Sequence, residues 1–474
     1  MRKTKIICTL GPASNTEEIV GQLIDAGMDV ARFNFSHGTH ESHKALFELV
    51  DRLRVEKNAA VATLLDTKGP EIRLGQFADG KITVATGDIF TLTTEPFLGT
   101  SERAHITYAG LPHDIAVGQR LLIDDGLIEM SVVSVTGTEI RCEVQNGGDI
   151  SDNKSVNVPG VSLTMPYLSE RDADDIRFGI ATGFDFIAAS FVRNARDVLD
   201  IRELLRKHGG DYIHIISKIE NAEGIANLEE ILRVSDGIMV ARGDLGVEID
   251  FDLLPGLQKK LIKEAYHDGK IVITATQMLE SMIKNPRPTR AEATDVANAV
   301  YDGTSAVMLS GETASGLYPV HTVETMVRIV NSTETDILYR RRFDRNNYKT
   351  DSTDVTNAIS HATVTTAYDL GATAVITVTI SGRTARNISK FRPDIPIIGC
   401  TTSIKTFYQL ALSWGVVPAR ISMKINLDAL FDDSVRASQA LGFVKRGDLV
   451  VISTGVPLGI SGSTNLLKVH VVGD

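Results

Sequence analysis

Cysteines are few in this sequence and long apolar runs are absent. Both observations limit the classes of protein to which the chain can belong. Its 474 residues include only three cysteines, Cys8, Cys142 and Cys400, which form no CxxC pair. They predict no disulfide framework, as is typical of a reducing compartment. No apolar run approaches the roughly 18 residues of a membrane-spanning helix, and Gly11 and Pro12 interrupt the apolar start too early for a secretory signal. We therefore expect a cytoplasmic protein with no membrane partner.

The sequence also lacks the short motifs of several common enzyme classes. There is no GxxxxGK[ST] phosphate loop, no GxGxxG opening a helix, no HExxH and no GxSxG. Acidic residues outnumber basic ones by 60 to 49, and the net charge of −11 disfavours wholesale binding to nucleic acid. If the protein binds a nucleotide, it must therefore do so through residues outside these motifs, in a local pocket.

Eight short runs of Val, Ile, Ala and Leu, most of them followed by a helix-like segment, fill the first two thirds of the chain. Such continuous runs are typical of strands buried on both faces in parallel sheets. They end at Thr9, Arg32, Asp66, Ser190, Lys218, Arg242, Thr276 and Leu309. Eight units favour an α/β fold of the (β/α)8 TIM-barrel type. An open doubly wound sheet shows the same alternation and is the alternative.

The alternation breaks after the third unit. From Leu74 to Met165 the runs alternate between apolar and polar residues, which predicts an antiparallel β domain with hairpins. The turn dipeptides are Asp79-Gly80, Asp125-Gly126, Thr136-Gly137 and Asn146-Gly147. We expect this insertion to be a β-barrel lid over the active-site face of the TIM barrel, followed at the end of the chain by a C-terminal α/β domain. The predicted boundaries are 1–69 and 167–342 for the barrel, 70–166 for the lid and 343–474 for the C-terminal domain.

Cations, carboxylates and hydroxyls stand at the ends of the predicted barrel strands, which meet at one mouth. They are Arg32, Asn34, Ser36, Asp66, Thr67, Lys68, Arg73, Lys218, Glu220, Arg242, Asp244 and Thr276. The cations suggest an anionic substrate. Glu220 and Asp244 suggest Mg²⁺, since two carboxylates about 4 Å apart repel by roughly 4 kcal/mol. An anionic substrate, Mg²⁺ and a lysine are the components that enzymes use for phosphoryl transfer.

Seven motifs resemble those of the pyruvate kinase family, in the family's order and essentially from end to end. They are CTLGPAS (8–14), ARFNFSHG (31–38), DTKGPEIR (66–73), KIENAEGI (218–225), ARGDLGVE (241–248), TATQMLESM (274–282) and MLSGETA (308–314). The resemblance implies a transferase of glycolysis that moves the phosphoryl group of phosphoenolpyruvate to ADP, giving pyruvate and ATP.

The resemblance also implies roles for single residues. The implied substrate-binding residues are Arg32, Lys218, Gly243, Asp244 and Thr276. Lys218 would neutralise the transferring phosphoryl group and Arg32 would hold it. The implied Mg²⁺ ligands are Glu220 and Asp244. The implied catalytic set is Lys218, Arg32, Thr276 and Ser310, with the last two as alternative sources of the proton that the enolate receives.

Potassium and nucleotide sites follow from the same resemblance. The implied K⁺ ligands are Asn34, Ser36, Asp66 and Thr67, and Glu71 stands where K⁺-dependent members carry glutamate. The implied nucleotide-binding residues are Asn34, His37, Arg73 and Lys154.

Two positions depart from the family's pattern. The usual KGVNLPG reads KSVNVPG, with Ser155 in place of glycine. Because glycine adopts positive φ readily and serine rarely does, we expect Ser155 to stiffen or reposition Lys154. Ser305 replaces a frequent aspartate at the start of the eighth strand, away from the mouth, and we expect an effect on stability only.

The C-terminal domain carries TVTISGRTARNIS (377–389), where hydroxyls, free N–H groups and an arginine at a helix N-terminus favour an anion. In the family this loop holds a phosphate of an activating metabolite. The implied effector-binding residues are Thr379, Ser381, Gly382, Arg383 and Thr384. Residues 455–465 resemble the loop that closes over the effector, while the acidic segment 426–435 leaves the identity of the phosphorylated effector open. The family is usually tetrameric, so we expect a homotetramer.

Two other functions stay open on the residues alone. A different Mg²⁺-dependent barrel enzyme acting on a keto acid, such as an aldolase or lyase, would not need Arg73 and Lys154 on a nucleotide-facing lid. A catalytically inactive phosphosugar-binding protein would need only the C-terminal loop, and the intact Lys218, Glu220 and Asp244 argue against it. Lys218 and Glu220 could also form a purely structural ion pair.

Overall fold

The computed structural model describes residues 1–345, 354–424, 426–458 and 464–473. Its largest unit is a closed barrel of eight parallel strands, in which each strand pairs with the next barrel strand along the chain and the eighth pairs with the first. The predicted TIM barrel is confirmed and the open sheet is excluded. The barrel strands are Lys5–Thr9, Val30–Asn34, Ala62–Asp66, Phe186–Ala189, His214–Ile219, Gly237–Ala241, Ile271–Ala275 and Ala306–Leu309.

Helices cover the barrel, and several begin at a side chain that caps them. Thr16, Thr39 and Ser169 each accept a hydrogen bond from the backbone N–H three residues on, which satisfies a donor that the helix leaves open. Asn227 ends the helix Ala222–Ala226 and directly precedes the helix Leu228–Val234. The helices of this unit are Pro12–Ser14, Glu17–Ala26, His40–Glu56, Glu170–Thr182, Ala195–Lys207, Ala222–Ala226, Leu228–Val234, Arg242–Glu248, Leu254–His267, Glu280–Ile283, Arg290–Asp302, Gly311–Ala314, Pro319–Asp336 and Tyr339–Arg345.

Successive residues of the barrel strands belong to different apolar clusters. Ile6 and Cys8 pack with residues of the surrounding helices. Ile7 and Leu64 belong to a second cluster, made of barrel-strand residues together with Leu412 from the C-terminal domain. Strands that must satisfy two apolar environments are apolar throughout, which explains the continuous runs in the sequence.

Between the third and fourth barrel strands the chain forms a β domain with its own core. A six-stranded sheet and a two-stranded sheet make it up. Turns at Asp125-Gly126 and Thr136-Gly137 join neighbouring antiparallel strands, as predicted. The elements are Lys81–Val84, Ile89–Thr93, Arg103–His105, the helix Leu111–Asp114, Arg120–Ile123, Ile128–Val135, Glu139–Val144, Gly148–Ser151 and Val156–Asn157.

Two details of the predicted β domain are wrong. Arg103–His105 pairs in parallel with Ile89–Thr93, so the domain is not wholly antiparallel. Gly148–Ser151 pairs with Lys81–Val84 and not with the strand before it, so Asn146-Gly147 is not a hairpin turn. Both differences reflect long-range pairing, which a turn dipeptide does not determine.

The C-terminal unit is a five-stranded sheet with helices. Four strands are parallel, and the last pairs antiparallel to its neighbour, as predicted. Its elements are the helices Val355–Asp369, Arg383–Ser389, Ile404–Gln409, Leu410–Leu412 and Leu427–Ala440, and the strands Ala374–Val378, Ile397–Thr401, Val416–Arg420, Leu449–Thr454 and Leu466–Val471. Among the described residues of the whole chain, no helix combines the length and apolarity that crossing a membrane requires.

Asp185, at the start of the fourth barrel strand, is the centre of the contact between the barrel and the C-terminal unit. It is fully buried and its Oδ2 accepts hydrogen bonds from Arg54 Nη1 at 3.0 Å, Thr63 N at 2.9 Å and Thr63 Oγ1 at 3.0 Å. From the C-terminal unit, Lys405 Nζ lies 3.5 Å from Asp185 Oδ1, and the ring of Tyr408 stacks 3.5 Å from the Arg54 guanidinium. A buried charge held by this many partners fixes how the two units dock.

A second contact involves Ser305, the residue that departs from the family. The buried Arg392 of the C-terminal unit donates through Nη2 to Ser305 Oγ at 3.1 Å and to Gly303 O at 3.0 Å. Its guanidinium also lies 4.6 Å from the centre of the Trp414 ring. Ser305 therefore takes part in the docking of the two units, at the start of its strand.

We predict that Asp185→Ala lowers the free energy of unfolding by about 3–5 kcal/mol, because the variant removes the buried carboxylate that pairs with the Arg54 guanidinium. The urea concentration at the unfolding midpoint measures the change. Asp51→Ala is the matched control, since Asp51 also binds Arg54 but is 48% exposed, so that water replaces it and the loss is smaller. Equal shifts for the two variants would contradict this account.

Candidate active site

A cluster of opposite charges lies at the end of the barrel where the carboxyl ends of the strands meet. Register pairs Asn34 with Asp66 on the second and third strands. Asp66 contacts Arg32 from the second strand and Lys218 from the fifth, and Lys218 also contacts Glu220. Side chains that are far apart in the sequence therefore come within contact distance at one rim.

Lys218 is one of the buried cations of this cluster. Its Nζ donates to Ser190 Oγ at 2.7 Å and lies 2.9 Å from Glu220 Oε1 and 3.3 Å from Asp66 Oδ1. Burial lowers the pKa of Lys218, but Asp66, Glu220 and Asp244 raise it by more, so that it lies above its ordinary value. The ammonium therefore stays charged, with three oxygens fixing its position.

Arg32 and Asp66 form the second buried ion pair. Arg32 donates through Nε to Asp66 Oδ2 at 2.6 Å and through Nη1 to Thr9 Oγ1 at 2.9 Å. Burial raises the pKa of Asp66, but Arg32 and Lys218 outweigh it and hold this pKa below its usual value. Asp66 is therefore an anion placed between two cations.

Glu220 and Asp244 are the carboxylates predicted to hold Mg²⁺. Phe191 N donates to Glu220 Oε2 at 2.6 Å, whereas the buried Oε1 accepts no hydrogen bond of good geometry. Burial, reinforced by Asp244 and opposed by Lys218, raises the pKa of Glu220 to about 8. A divalent cation between the two carboxylates would remove the cost of ionising Glu220, so these residues fit such an ion.

The protein supplies few ligands for that ion. No group of three or more His, Cys, Asp or Glu side chains arranged to hold a metal occurs within the described part of the chain. Mg²⁺ commonly takes one or two carboxylates and completes its shell with substrate oxygens and water. The pair Glu220 and Asp244 suits a cation that binds together with a substrate.

Thr276 lies at the end of the seventh strand in a strained backbone conformation. Its φ is +66°, which is unusual for a β-branched residue. Arg242 stabilises this turn by donating to Thr276 O at 2.6 Å and to Ala275 O at 3.2 Å. The Thr276 hydroxyl in turn accepts from Gly243 N at 2.8 Å. Gly243 and Thr276, which are both predicted to bind the substrate, are thus neighbours.

Ser310 follows the eighth strand. Its backbone N–H donates to Glu312 Oε2 at 2.6 Å. Its hydroxyl is buried and has no hydrogen-bond partner among the described residues. An unpartnered buried hydroxyl is free to bond with a bound substrate or water.

The predicted potassium ligands cluster at the ends of the second and third strands. Asn34 Oδ1 accepts from Ser36 N at 3.1 Å, and Asp66 lies opposite Asn34. Thr67 follows directly, and its carbonyl accepts from Ser190 Oγ at 2.7 Å. Neutral and charged oxygens of this kind suit a hard monovalent cation.

A cleft of about 640 Å³ separates the β domain from the barrel mouth. Arg73 and Lys154 line it from the β domain, and Asp244 lines it from the barrel. Each cation is paired, Arg73 with both oxygens of Glu71 at 2.9 Å and Lys154 with Asp124 at 2.8 Å. The cleft therefore has two cations on one wall and the proposed metal ligand on the other.

His37 lies apart from that wall. It is exposed, and its carbonyl accepts from His43 Nε2 at 2.8 Å. It stays on the loop after the second strand, near Asn34.

Ser155 does not have the positive φ that made its replacement of glycine a concern. The backbone argument for an effect of Ser155 on Lys154 therefore does not apply in this structure. The expected influence on Lys154 stays a prediction, and it is consistent with the contacts of the Ser155 hydroxyl, which bonds to the turn that carries Asp124 and Asp125.

The predicted effector loop joins a strand to the helix Arg383–Ser389. Gly382 has φ +78°, a conformation that suits glycine at this turn. Thr384 Oγ1 lies 2.8 Å from Thr464 Oγ1, Arg383 is exposed, and Thr379 is buried. Of the second predicted loop, 455–465, residues 459–463 lie outside the described residues.

Sequence reasoning assigned no role to Ser190 and Arg242, although both are strand-end residues. Ser190 Oγ accepts from Lys218 and donates to Thr67 O. Arg242 holds Thr276 and also pairs with Asp295 at 2.6 Å. Their positions at the ends of the fourth and sixth strands could have marked them as site residues. Their hydrogen-bond partners lie on other strands, so the local sequence does not reveal them.

Comparisons with known proteins agree along the whole chain. The family described as "Pyruvate kinase, barrel domain" matches residues 1–323, and "Pyruvate kinase, alpha/beta domain" matches residues 357–470. The pyruvate kinase of Sporosarcina psychrophila is 49% identical and that of Geobacillus stearothermophilus 50%, each over all of this chain and 81% of the relative. A crystal structure of a pyruvate kinase from Cryptosporidium parvum superposes with a TM-score of 0.95 at 40% identity, covering 99% of this chain and 96% of the other.

We predict that Mg²⁺ binds more tightly as the pH rises toward 8, because the cation displaces a proton from Glu220, whose pKa is raised to about 8. Titration calorimetry in two buffers of different ionisation heat measures both the affinity and the released proton. Asp244→Asn should weaken binding, since only one carboxylate is left. An affinity that does not change with pH would contradict the raised pKa of Glu220.

Proposed function

The chain belongs to the pyruvate kinase family, and with it to the phosphotransferases, and we propose that its barrel mouth transfers the phosphoryl group of phosphoenolpyruvate to ADP in the last step of glycolysis. The observation that supports the site most directly is the buried Lys218 ammonium, held beside Glu220 and Asp66. A fixed cation at this place meets the charge that develops on a phosphoryl group in transfer.

Arg32 and Lys218 would hold the phosphoryl group between them. Both are buried and already bonded to Asp66, so little reorganisation is needed when the substrate arrives. Gly243 N and the Thr276 hydroxyl would receive the carboxylate end. The energetic benefit is positioning, because phosphoryl transfer depends mainly on alignment and on charge neutralisation.

Mg²⁺ would be held by Glu220 and Asp244, and the ion would offset the cost of ionising the buried Glu220. When bound, it supplies Lewis-acid polarisation of the substrate's oxygens. Asp244 lines the cleft that Arg73 and Lys154 face, so it is the residue that joins the substrate side of the site to the nucleotide side.

The proton that completes pyruvate would come through Thr276 or Ser310. Thr276 holds its hydroxyl between Gly243 N and Ala275 O. Ser310 presents a buried hydroxyl with no partner in the described part of the chain. We assign the pair, and not one member, to the delivery of this proton.

ADP would bind in the cleft, with Arg73 and Lys154 on its phosphates and with Asn34 and His37 nearby. Both cations, which are paired with Glu71 and Asp124, would also donate to a phosphate. K⁺ would bind among Asn34, Ser36, Asp66 and Thr67, with Glu71 favouring dependence on it.

Regulation and assembly are further parts of the proposal. A phosphorylated activator would bind at residues 379–384, where the exposed Arg383 and the threonine hydroxyls offer charge-assisted hydrogen bonds. The assembly would be a homotetramer in the cytoplasm. The three chain segments would follow the boundaries 1–69 with 167–342, 70–166 and 343–474.

We predict that Lys218→Met lowers turnover by about 10²–10³, the scale for losing one charge stabiliser. Formation of pyruvate from phosphoenolpyruvate, ADP, Mg²⁺ and K⁺ measures it. Lys57→Met is the control, since Lys57 forms an exposed pair with Asp25 on a barrel helix. A near-normal rate in Lys218→Met would refute the role of Lys218, whereas no pyruvate from the unaltered enzyme, with or without phosphorylated metabolites, would refute the activity.

We predict that Arg383→Ala abolishes activation by phosphorylated metabolites and leaves the basal rate unchanged, because it removes a phosphate-binding guanidinium far from the barrel mouth. Activity measured across a panel of sugar and nucleoside monophosphates and bisphosphates tests this. Arg436→Ala, an exposed arginine of the same unit, should activate normally. Identical activation curves for both variants would remove residues 379–384 from regulation.

A further inference from the structure

Ser155 connects the two acidic residues of a turn to the lysine beside the cleft. Its hydroxyl accepts from Asp125 N at 3.1 Å and donates to Asp125 Oδ1 at 2.9 Å. Its carbonyl accepts from Asp124 N at 3.1 Å. Three hydrogen bonds thus attach the Asp124–Asp125 turn to the strand that follows Lys154.

This turn is strained and needs such support. Asp124 and Asp125 both have φ of +54°, a left-handed conformation that aspartate adopts at a cost of about 1 kcal/mol or more for each residue. Hydrogen bonds from the Ser155 hydroxyl compensate for that cost locally. The glycine found here in the family would leave both of these bonds unmade.

The Asp124–Asp125 turn also holds Lys154, one of the cations that line the cleft. Asp124 Oδ1 accepts from Lys154 Nζ at 2.8 Å. Arg73, which forms an isolated β-bridge with Ser155, donates to Asn153 O at 2.8 Å. Asp124, Lys154, Ser155 and Arg73 all line the same cleft, so the position of the Lys154 ammonium depends on the position of the turn.

We propose that Ser155 is a positioning residue for the nucleotide: its hydroxyl fixes the Asp124–Asp125 turn and, through Asp124, keeps the Lys154 ammonium at the cleft before ADP arrives. This inference rests on the proposed role of Lys154 in binding ADP. A glycine at this position could not perform the task, because it carries no hydroxyl. A preordered lysine loses less conformational entropy on binding, which lowers the KM for ADP.

Three variants separate the hydroxyl from the backbone. Ser155→Ala and Ser155→Gly both lose the hydroxyl, and each should raise the KM for ADP by about two- to fivefold, the scale of one or two exposed hydrogen bonds. Ser155→Thr keeps the hydroxyl and should restore the KM. The value of kcat and the KM for phosphoenolpyruvate should not change in any of them. A change in Ser155→Gly alone would assign the effect to backbone freedom and overturn the proposal, as would an unchanged KM for ADP in Ser155→Ala.

Further variants distinguish this inference from the function on which it rests. Lys154→Met should raise the KM for ADP by more than tenfold, roughly the loss of a charge-assisted bond, and adding Ser155→Ala should raise it no further, because Ser155 acts through Lys154. If Lys154→Met leaves this KM unchanged, the proposed nucleotide site is wrong. If Lys154→Met raises it but Ser155→Ala does not, only the role of Ser155 is wrong. Ser134→Ala, on the same β domain but outside the cleft, is the matched control, and an equal change there would overturn the role of Ser155.

Discussion

The buried charges at the barrel mouth are the constraint on which the rest of the site depends. Two cations, Arg32 and Lys218, share the space with three carboxylates, Asp66, Glu220 and Asp244. Because burial raises the pKa of Glu220 to about 8, this carboxyl group is mostly protonated near neutral pH before any ligand binds. A divalent cation that displaces the proton adds positive charge to the mouth and so favours an anionic substrate, and the barrel must hold all five groups fixed because an unpaired charge here would be costly.

The barrel stores backbone strain next to these charges. Phe191 and Thr276 follow the fourth and seventh strands with φ of +55° and +66°, each at a cost on the order of 1–3 kcal/mol. In this conformation Phe191 N donates a hydrogen bond to Glu220, and the Thr276 hydroxyl accepts one from Gly243 N. At Thr276, the hydrogen bond from Arg242 to the backbone carbonyl helps to hold this conformation.

The barrel and the polar residues at its mouth could be predicted from the sequence. Strands buried on both faces are apolar throughout, and the charged and hydroxyl side chains follow directly where each apolar run ends. The sequence was insufficient wherever an outcome depended on partners from other strands. Ser190 reads as an ordinary strand end, yet it bonds both Lys218 and Thr67. The parallel pairing of Arg103–His105 and the ordinary φ of Ser155 likewise depend on neighbours that a local pattern does not reveal.

The three cysteines lie in different parts of the chain and all are buried. Burial raises the pKa of Cys142 and of Cys400 to about 12 and moves that of Cys8 higher still. Peroxides and electrophiles attack the thiolate form, and the folded surface offers them none. Oxidative damage to these positions must wait for the protein to open, so conditions that favour opening also expose the thiols to oxidants.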